Sequence, residues 1–292
     1  MSAVSAVAPG EPETCEQPGA VRARRSAGAA GSTAAEGAER AEGASGASGS
    51  SGSDIVGVLG GMGPAATADF FAKLVQETPA AKDQEHLRTL VWSDSTVPDR
   101  TAAILSDGPS PLPHLREGVR LLESAGATLI AMPCNTAHAF LPELRREAGV
   151  PVLSMIDATV RRLHRADPAV TSVGLLATTG TLVAGLYQEA LREYGIAAVV
   201  PAPLLQQRCV MRAVRLVKAG RLEAAGESLE PAVRNVAEAG AQIIVAACTE
   251  LPLVLGHRAG DLPVFDPTTA LAQDVVALVR RRPQNDHTKE AL

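Results

Sequence analysis

The second half of this 292-residue chain repeats the first half. The segment VGVLGGMGPAATADFFAKL, which starts at position 56, aligns with VGLLATTGTLVAGLYQEAL, which starts at position 173. AGATLIAMPCNTA at 125 aligns with AGAQIIVAACTEL at 239, and PVL at 151 aligns with PVF at 263. The three blocks recur in the same order at offsets of 117, 114 and 112 residues. This regularity indicates an internal duplication, so the chain should fold into two similar units.

Each repeat alternates short apolar strands with amphipathic helices. DIVGVLGGMGP at 54 predicts a buried strand that ends in a glycine turn, with a helix beginning near Pro64. VPVLSMI at 150 predicts a fourth strand of the first repeat. The alternation is typical of parallel α/β layers. We therefore predict an α/β fold with parallel sheets in two domains, residues 54–157 and 158–266, with a C-terminal helix 267–282 that packs back on the first.

Composition sets the N-terminus apart and excludes several classes of protein. Residues 1–53 are rich in Ala, Gly, Ser and Glu, which predicts a disordered tail, and RARR at 22–25 lacks the apolar segment of a signal peptide. A net charge of −5 without a basic stripe predicts no nucleic-acid partner, and no apolar run reaches the roughly 18 residues of a membrane helix. The four cysteines form no disulfide framework and no CxxC motif. We expect reduced thiols, no metal and a cytoplasmic location.

Two of the cysteines, Cys134 and Cys248, occupy equivalent positions in the repeat. Each follows an apolar strand and precedes a predicted helix. Because ligands bind beyond the carboxyl ends of the strands in open α/β sheets, two facing units would bring both thiols to one cleft. A helix N-terminus can lower the pKa of a thiol from roughly 8.5. One thiolate could then remove a proton from a substrate carbon while the opposite thiol protonates the other face, which inverts a stereocentre without a cofactor.

Polar residues beside the thiols suit a substrate carboxylate. Asn135, Thr136 and Thr249, with backbone N–H groups at the helix starts, could donate to a carboxylate and to the enediolate-like form of its carbanion. Glu250 could bind the substrate amine or orient a thiol, or it could be only a helix N-terminal charge. The residues thus indicate proton transfer next to a carboxylate.

The segments GGMGPAATADFF, VPDRTA, PCNTAH, VKAG and ACTELP resemble the aspartate/glutamate racemase family, closest to its aspartate racemase branch. The resemblance covers roughly residues 54–279. It implies two domains with pseudo-twofold symmetry, one catalytic cysteine from each, independence from pyridoxal phosphate and metals, and a homodimer. The pair PCNTAH and CTELP, in that order, carries most of the resemblance.

The resemblance also implies a role for individual residues. Cys134 and Cys248 would be the acid/base thiols. The residues expected to contact the substrate are Asn135, Thr136 and Thr249 at the α-carboxylate, Met62 and Gly63 in the first strand turn, Thr178 and Thr179 in the second turn, and Arg100 and Lys218 at the side-chain carboxylate. An Arg and a Lys together would distinguish a distal carboxylate from an apolar side chain.

We predict a racemase that inverts aspartate or glutamate without pyridoxal phosphate, by proton transfer between two thiols. Val214 and Arg215 stand where the family often has an aromatic residue before the lysine, so the substrate stays open between aspartate, glutamate and another carboxylate. A cysteine-dependent isomerase of a small dicarboxylate is one alternative, because it also uses two thiols. A non-catalytic protein that binds small carboxylates is another. The sequence does not assign either thiol to an enantiomer.

Overall fold

The computed structural model describes residues 54–281. The predicted tail at 1–53 and the last residue of the predicted helix 267–282 lie outside this range. The strands are β1 (Ile55–Gly60), β2 (Arg88–Ser93), β3 (Leu129–Ala131), β4 (Ser172–Ala177), β5 (Ala197–Val199), β6 (Ile243–Ala247), β7 (Arg258–Ala259) and β8 (Leu262–Phe265). The helices are α1 (Pro64–Glu77), α2 (Arg100–Leu105), α3 (Leu112–Ser124), α4 (Leu141–Glu147), α5 (Met155–Ala166), α6 (Thr179–Val183), α7 (Leu186–Glu193), α8 (Pro203–Leu205), α9 (Met211–Lys218), α10 (Leu222–Glu238), α11 (Pro252–Leu255) and α12 (Pro267–Arg281).

The strands form two sheets with the same core order. The first has the order β2-β1-β3, and the second has the order β5-β4-β6-β8-β7. All pairs are parallel except β7 with β8. The predicted α/β fold with parallel sheets is confirmed.

The pairing registers of the two sheets also agree with the sequence repeat. Val56 of β1 pairs with Leu129, and the equivalent positions in the second repeat, Val173 and Ile243, pair in the same way. Duplicated sequence therefore builds the same central strands twice. The domain limits 54–157 and 158–266 stay a prediction.

The fourth strand predicted at 150–156 is wrong in extent. Only Val152 bridges to β3, through Ile130. The hydroxyl of Ser154 accepts a hydrogen bond from the Asp157 N–H and caps α5, which begins at Met155. The equivalent segment of the second repeat forms strand β8, although Asp266, at the position of Ser154, likewise accepts a hydrogen bond from the start of its helix. The difference lies in the pairing, because Val264 and Phe265 both pair with β6, whereas only Val152 pairs with β3.

The turn after β1 needs glycine. Gly61 has φ +91°, and a Cβ there would lie 2.2 Å from the backbone of Asp94. The backbone N–H of Gly61 donates to the Thr67 hydroxyl at 2.8 Å, and Pro64 is the first residue of α1. In the second repeat Thr178 stands at the equivalent place and caps α6 through its side chain. The two equivalent turns therefore lead into their helices differently, the first through a glycine with positive φ and the second through a threonine cap.

Helix α12 returns to the first sheet after the second is complete. Its residues Leu271 and Val275 are buried in one apolar cluster with Phe70 and Leu74 of α1. Lys73 of α1 forms an ion pair of 2.7 Å with Asp266, which precedes α12. The last described helix therefore packs on the first repeat.

Candidate active site

The loops after β3 and β6 meet at one cavity of about 300 Å³, part of it open to solvent. The side chains that line it are Met62, Asp99, Arg100, Thr101, Cys134, Asn135, Thr136, Thr178, Lys218, Cys248, Thr249 and Glu250. The structure thus brings together most of the residues singled out in the sequence, including both thiols. The exceptions are Gly63, which lines an adjoining cavity, and Thr179, whose hydroxyl accepts hydrogen bonds from Gln206 and Gln207.

Cys134 lies in the loop directly after β3 and is buried. Its Sγ approaches the Met62 carbonyl oxygen at 3.9 Å, a weak contact. A 3-10 turn (Thr136–Phe140) separates it from α4. The thiol therefore has no charged group as its direct hydrogen-bond partner among the described residues.

His138 fixes the backbone of Cys134. Its Nε2 accepts from the Met155 N–H at 2.8 Å, so its Nδ1 carries the proton and donates to the Cys134 carbonyl at 2.9 Å. Burial lowers the pKa of His138 from its usual 6.5 to about 4. The imidazole is therefore neutral near pH 7 and ties the loop of the first thiol to the start of α5.

Cys248 has a buried carboxylate as its partner. Its Sγ donates to Glu250 Oε2 at 3.0 Å. Burial and the negative charge of Glu250 raise the pKa of Cys248 well above its usual value. The expectation of a lowered pKa is wrong for this thiol, because burial and the carboxylate of Glu250 both favour its protonated form.

Asn135 is oriented by a residue that the sequence analysis missed. The phenol of Tyr187 donates to Asn135 Oδ1 at 2.6 Å. Burial raises the pKa of Tyr187, so the phenol keeps its proton and stays a donor. The Asn135 Nδ2 group has no hydrogen-bond partner within residues 54–281, so it is available to a ligand carboxylate. The sequence pattern places Tyr187 only on the apolar face of a predicted helix and gives no sign of a role in the site.

Two threonine hydroxyls that follow β4, those of Thr178 and Thr181, contact the hydroxyl of Thr136 beside Asn135. Thr136 Oγ1 lies 2.8 Å from Thr178 Oγ1 and 3.0 Å from Thr181 Oγ1, and the latter two are 2.9 Å apart. Thr181 was also missed, because its spacing indicates only the first turn of a helix. Three hydroxyl protons make these three contacts, so donation to a carboxylate requires one contact to open.

The two cations expected at a side-chain carboxylate differ in availability. Arg100 is buried, and its terminal nitrogens donate to the carbonyl oxygens of Val97, Pro98 and Met62 at 3.1, 2.9 and 2.8 Å. Lys218, at the end of α9, is 41% exposed and lies 3.9 Å from Glu250 Oε1. Lys218 is thus the more available cation, while Arg100 braces the first turn.

A wider cavity of about 960 Å³, part of it open solvent, adjoins the thiol cavity. Both are lined by Met62, Asp99, Arg100, Lys218 and Glu250. Its remaining lining residues are mostly small: Gly61, Gly63, Pro64, Ala65, Ala66, Ser95, Val97 and Val217. It offers room for a ligand side chain beyond the thiols.

Residues 54–281 contain neither a membrane-spanning helix nor a metal-binding cluster of His, Cys, Asp or Glu side chains. None of the helices there has the length and apolar character needed to cross a bilayer. No group of three or more His, Cys, Asp or Glu side chains in this range could hold a metal ion.

Several known proteins are similar to this chain in sequence and in fold. The sequence profile of the family described as Asp/Glu/hydantoin racemase matches residues 59–275. The broad specificity amino-acid racemase RacX of Bacillus subtilis is 28% identical over 226 residues, which cover 74% of this chain and 94% of the relative. Glutamate racemase of Deinococcus radiodurans is 29% identical over 72% of this chain and 64% of its own length. The structure of Picrophilus torridus aspartate racemase has a TM-score of 0.71 and 34% identity, over 78% of this chain and 95% of that one.

Proposed function

This chain belongs to the Asp/Glu/hydantoin racemase family, and on that premise we propose that Cys134 and Cys248 invert the α-carbon of an acidic amino acid without pyridoxal phosphate. The observation that carries the proposal is that both thiols, one from each repeat, line a single cavity with carboxylate donors beside them. The protein is an isomerase of the Asp/Glu racemase type.

The reaction needs one thiolate and one thiol. The thiolate on one side takes the α-proton, and the electron pair passes into the α-carboxylate. The opposite thiol then gives its proton to the other face of the carbon, so one proton enters and one leaves. Asn135 Nδ2 and the hydroxyls of Thr136 and Thr249 would stabilise the negative charge that develops on the carboxylate oxygens.

Aspartate and glutamate are the first substrates to test. Similarity to an aspartate racemase and the position of Lys218 at the mouth of the thiol cavity support an acidic side chain. A broad-specificity racemase is the second candidate. It is favoured by the engagement of Arg100 with backbone carbonyls, which leaves one flexible cation, and by the small residues of the wider cavity.

The test is a chirality assay of the purified, reduced protein with single enantiomers and no added cofactor. We expect D-aspartate or D-glutamate from the L-form. Cys134→Ala and Cys248→Ala should each lower the rate by about 10³-fold or more, because each removes one of the two proton-transfer groups. Cys209→Ala is the matched control, since Cys209 is buried in the core of the second repeat and does not line the cavity.

The same assay separates the remaining alternatives. Isomerisation of maleate with no racemisation would replace the proposal by a dicarboxylate isomerase. Binding of aspartate with no turnover of any amino acid would replace it by a binding protein. Racemisation of neutral amino acids as fast as acidic ones would select the broad-specificity candidate.

We also propose a homodimer and a cytoplasmic location. The edge strand β2 pairs only with β1 among the described residues and exposes Val91 and Trp92, while Phe71 and Val75 are exposed on α1. Light scattering should give the mass of two chains, and Val91→Glu should reduce it to one. Because Trp92 is the single tryptophan of the sequence, its emission reports the same change.

Active thiols need a reducing compartment, which supports the proposed cytoplasmic location.

A further inference from the structure

The two thiols differ in the residue that stands two positions later in the repeat. After Cys134 this residue is Thr136, which is neutral and engaged with two other threonine hydroxyls. After Cys248 it is Glu250, whose carboxylate accepts directly from the thiol at 3.0 Å. Equivalent backbone positions thus carry a neutral group on one side of the cavity and a charged hydrogen-bond acceptor on the other.

The carboxylate of Glu250 is held in place and poorly neutralised. It is buried, and its Oε2 also lies 3.4 Å from the Thr249 hydroxyl. Its Oε1 makes no hydrogen bond within the described part of the chain and has Lys218 at 3.9 Å. A Cβ at Gly63 would come within 3.3 Å of Oε1, so the turn after β1 closes over the group. Such a carboxylate favours a protonated neighbour.

The other ionisable groups near Cys248 do not offset this bias. Lys218 is 41% exposed, so solvent screens its charge. Tyr187 faces Cys248 from α7 as a neutral phenol. Arg100 and Cys134 line the same cavity, but Arg100 is bound to the Met62 carbonyl, which Cys134 also contacts. Arg100 is thus held at the Met62 carbonyl and forms no hydrogen bond or ion pair with Cys248 or Glu250 among the described residues.

Building on the two-thiol reaction, we propose that Glu250 is a positioning residue that keeps the proton on Cys248, so that the resting enzyme holds Cys248 as the thiol and Cys134 as the thiolate. The enantiomer whose α-proton faces Cys134 then reacts with the resting form. That turnover leaves Cys134 protonated and Cys248 as a thiolate beside a carboxylate. Transfer of one proton to Cys248 and loss of one from Cys134, both exchanged with water, restore the resting form.

The reverse enantiomer meets the less populated form of the enzyme. Since the equilibrium constant of a racemisation is one, kcat/KM must be equal for both enantiomers. The asymmetry therefore has to be measured on the thiols themselves. Their alkylation requires the thiolate and requires no substrate.

The experiment follows iodoacetamide labelling of the full chain against pH, resolved by peptide mass spectrometry so that each cysteine is read separately. In the unaltered protein the midpoint pH for Cys134 should lie below that for Cys248. Glu250→Gln should lower the Cys248 midpoint by about one unit or more and raise its rate at pH 7 about tenfold, because the negative charge is removed. The Cys134 midpoint should stay where it is. Glu238→Gln, on the exposed surface of α10, is the matched control and should move neither.

Two results would overturn the inference: a Cys248 midpoint that Glu250→Gln leaves unchanged, or a Cys134 midpoint above that of Cys248 in the unaltered protein. If Glu250→Gln fails to fold by circular dichroism, Glu250→Thr gives the second repeat the residue of the first and should shift Cys248 in the same direction. This inference rests on the proposed function, but the two fail separately. If the unaltered protein shows no racemisation but its cysteines are labelled as expected, the proposed reaction is wrong. If it racemises its substrate but Glu250→Gln leaves the labelling of Cys248 unshifted, the role given to Glu250 is wrong.

Discussion

The two repeats share a backbone plan and differ in the chemistry at the ends of their strands. Around β1–β3 the thiol of Cys134 has neutral neighbours, and the buried imidazole of His138 holds its loop. Around β4–β8 the thiol of Cys248 bonds to a buried carboxylate. Duplication explains why two thiols face one cavity. Divergence explains how they can differ in protonation, which a reaction with one acid and one base requires.

The residues that directly follow the two cysteines should differ most in how much kcat falls when they are replaced by alanine. Asn135 offers an amide N–H₂ held by Tyr187, whereas Thr249, at the equivalent position, makes only a 3.4 Å contact with Glu250. Asn135→Ala should lower kcat by about 10²- to 10³-fold, as expected for loss of an oriented donor to a developing oxyanion. Thr249→Ala should cost about tenfold. Steady-state rates with one substrate measure both, and equal losses would contradict this unequal division.

The loss of unfolding free energy at acid pH should come from a residue of the first repeat, His138. The pKa of His138 is about 4 in the folded protein and about 6.5 when unfolded, so the unfolded state binds more protons between these values. The free energy of unfolding should therefore fall as the pH drops from 6.5 to 4, by about 3 kcal/mol from this group.

Urea unfolding at several pH values measures this loss. His138→Gln should flatten the dependence, while the same change at exposed His257 serves as control. If the free energy of unfolding fell equally steeply with pH in the His138 variant and in the unaltered protein, His138 would not be the group responsible. In the second repeat Pro252 stands at the equivalent position, so no matching acid response is expected there.

The smallest predicted difference concerns two equivalent glycines, Gly57 in β1 and Gly174 in β4. A Cβ at Gly57 would meet the Ala127 methyl at 3.0 Å, and a Cβ at Gly174 would meet a methyl of Val236 at 2.8 Å. Alanine at either site should cost about 1–3 kcal/mol of stability, more at Gly174, because its closest contact is the shorter one and the β-branched Val236 has little rotamer freedom to relieve it. Urea midpoints with unchanged slopes measure the order, and a larger loss at Gly57 would reverse it.

Local patterns and the repeat were enough to predict two parallel sheets, the glycine turn after β1 and the meeting of Cys134 with Cys248. They failed where contacts across the cleft decide the outcome. Tyr187 reaches Asn135 from 52 residues away, and nothing in α7 distinguishes it from a core residue. The raised pKa of Cys248 depends on burial with Glu250, which spacing alone does not reveal.

The partners of Arg100 are a further case. Its two terminal nitrogens donate to backbone carbonyls of its own loop and of the turn after β1, so its side chain braces the site, while its Nε–H has no partner among the described residues. A charged residue in a sequence motif indicates the chemistry that is available. It does not tell how much of that chemistry the surrounding backbone has already used.

In the proposed reaction two different thiols serve the two faces of one carbon, and the incorporation of solvent deuterium distinguishes this arrangement from a single base. The reduced protein is incubated in D₂O with L-aspartate, and in parallel with L-glutamate, and both enantiomers are analysed for α-deuterium at early times. We expect the D-product to carry deuterium while the remaining L-substrate keeps its α-proton. Deuterium entering the L-substrate as fast as the D-product forms would indicate a single base, and would contradict the account.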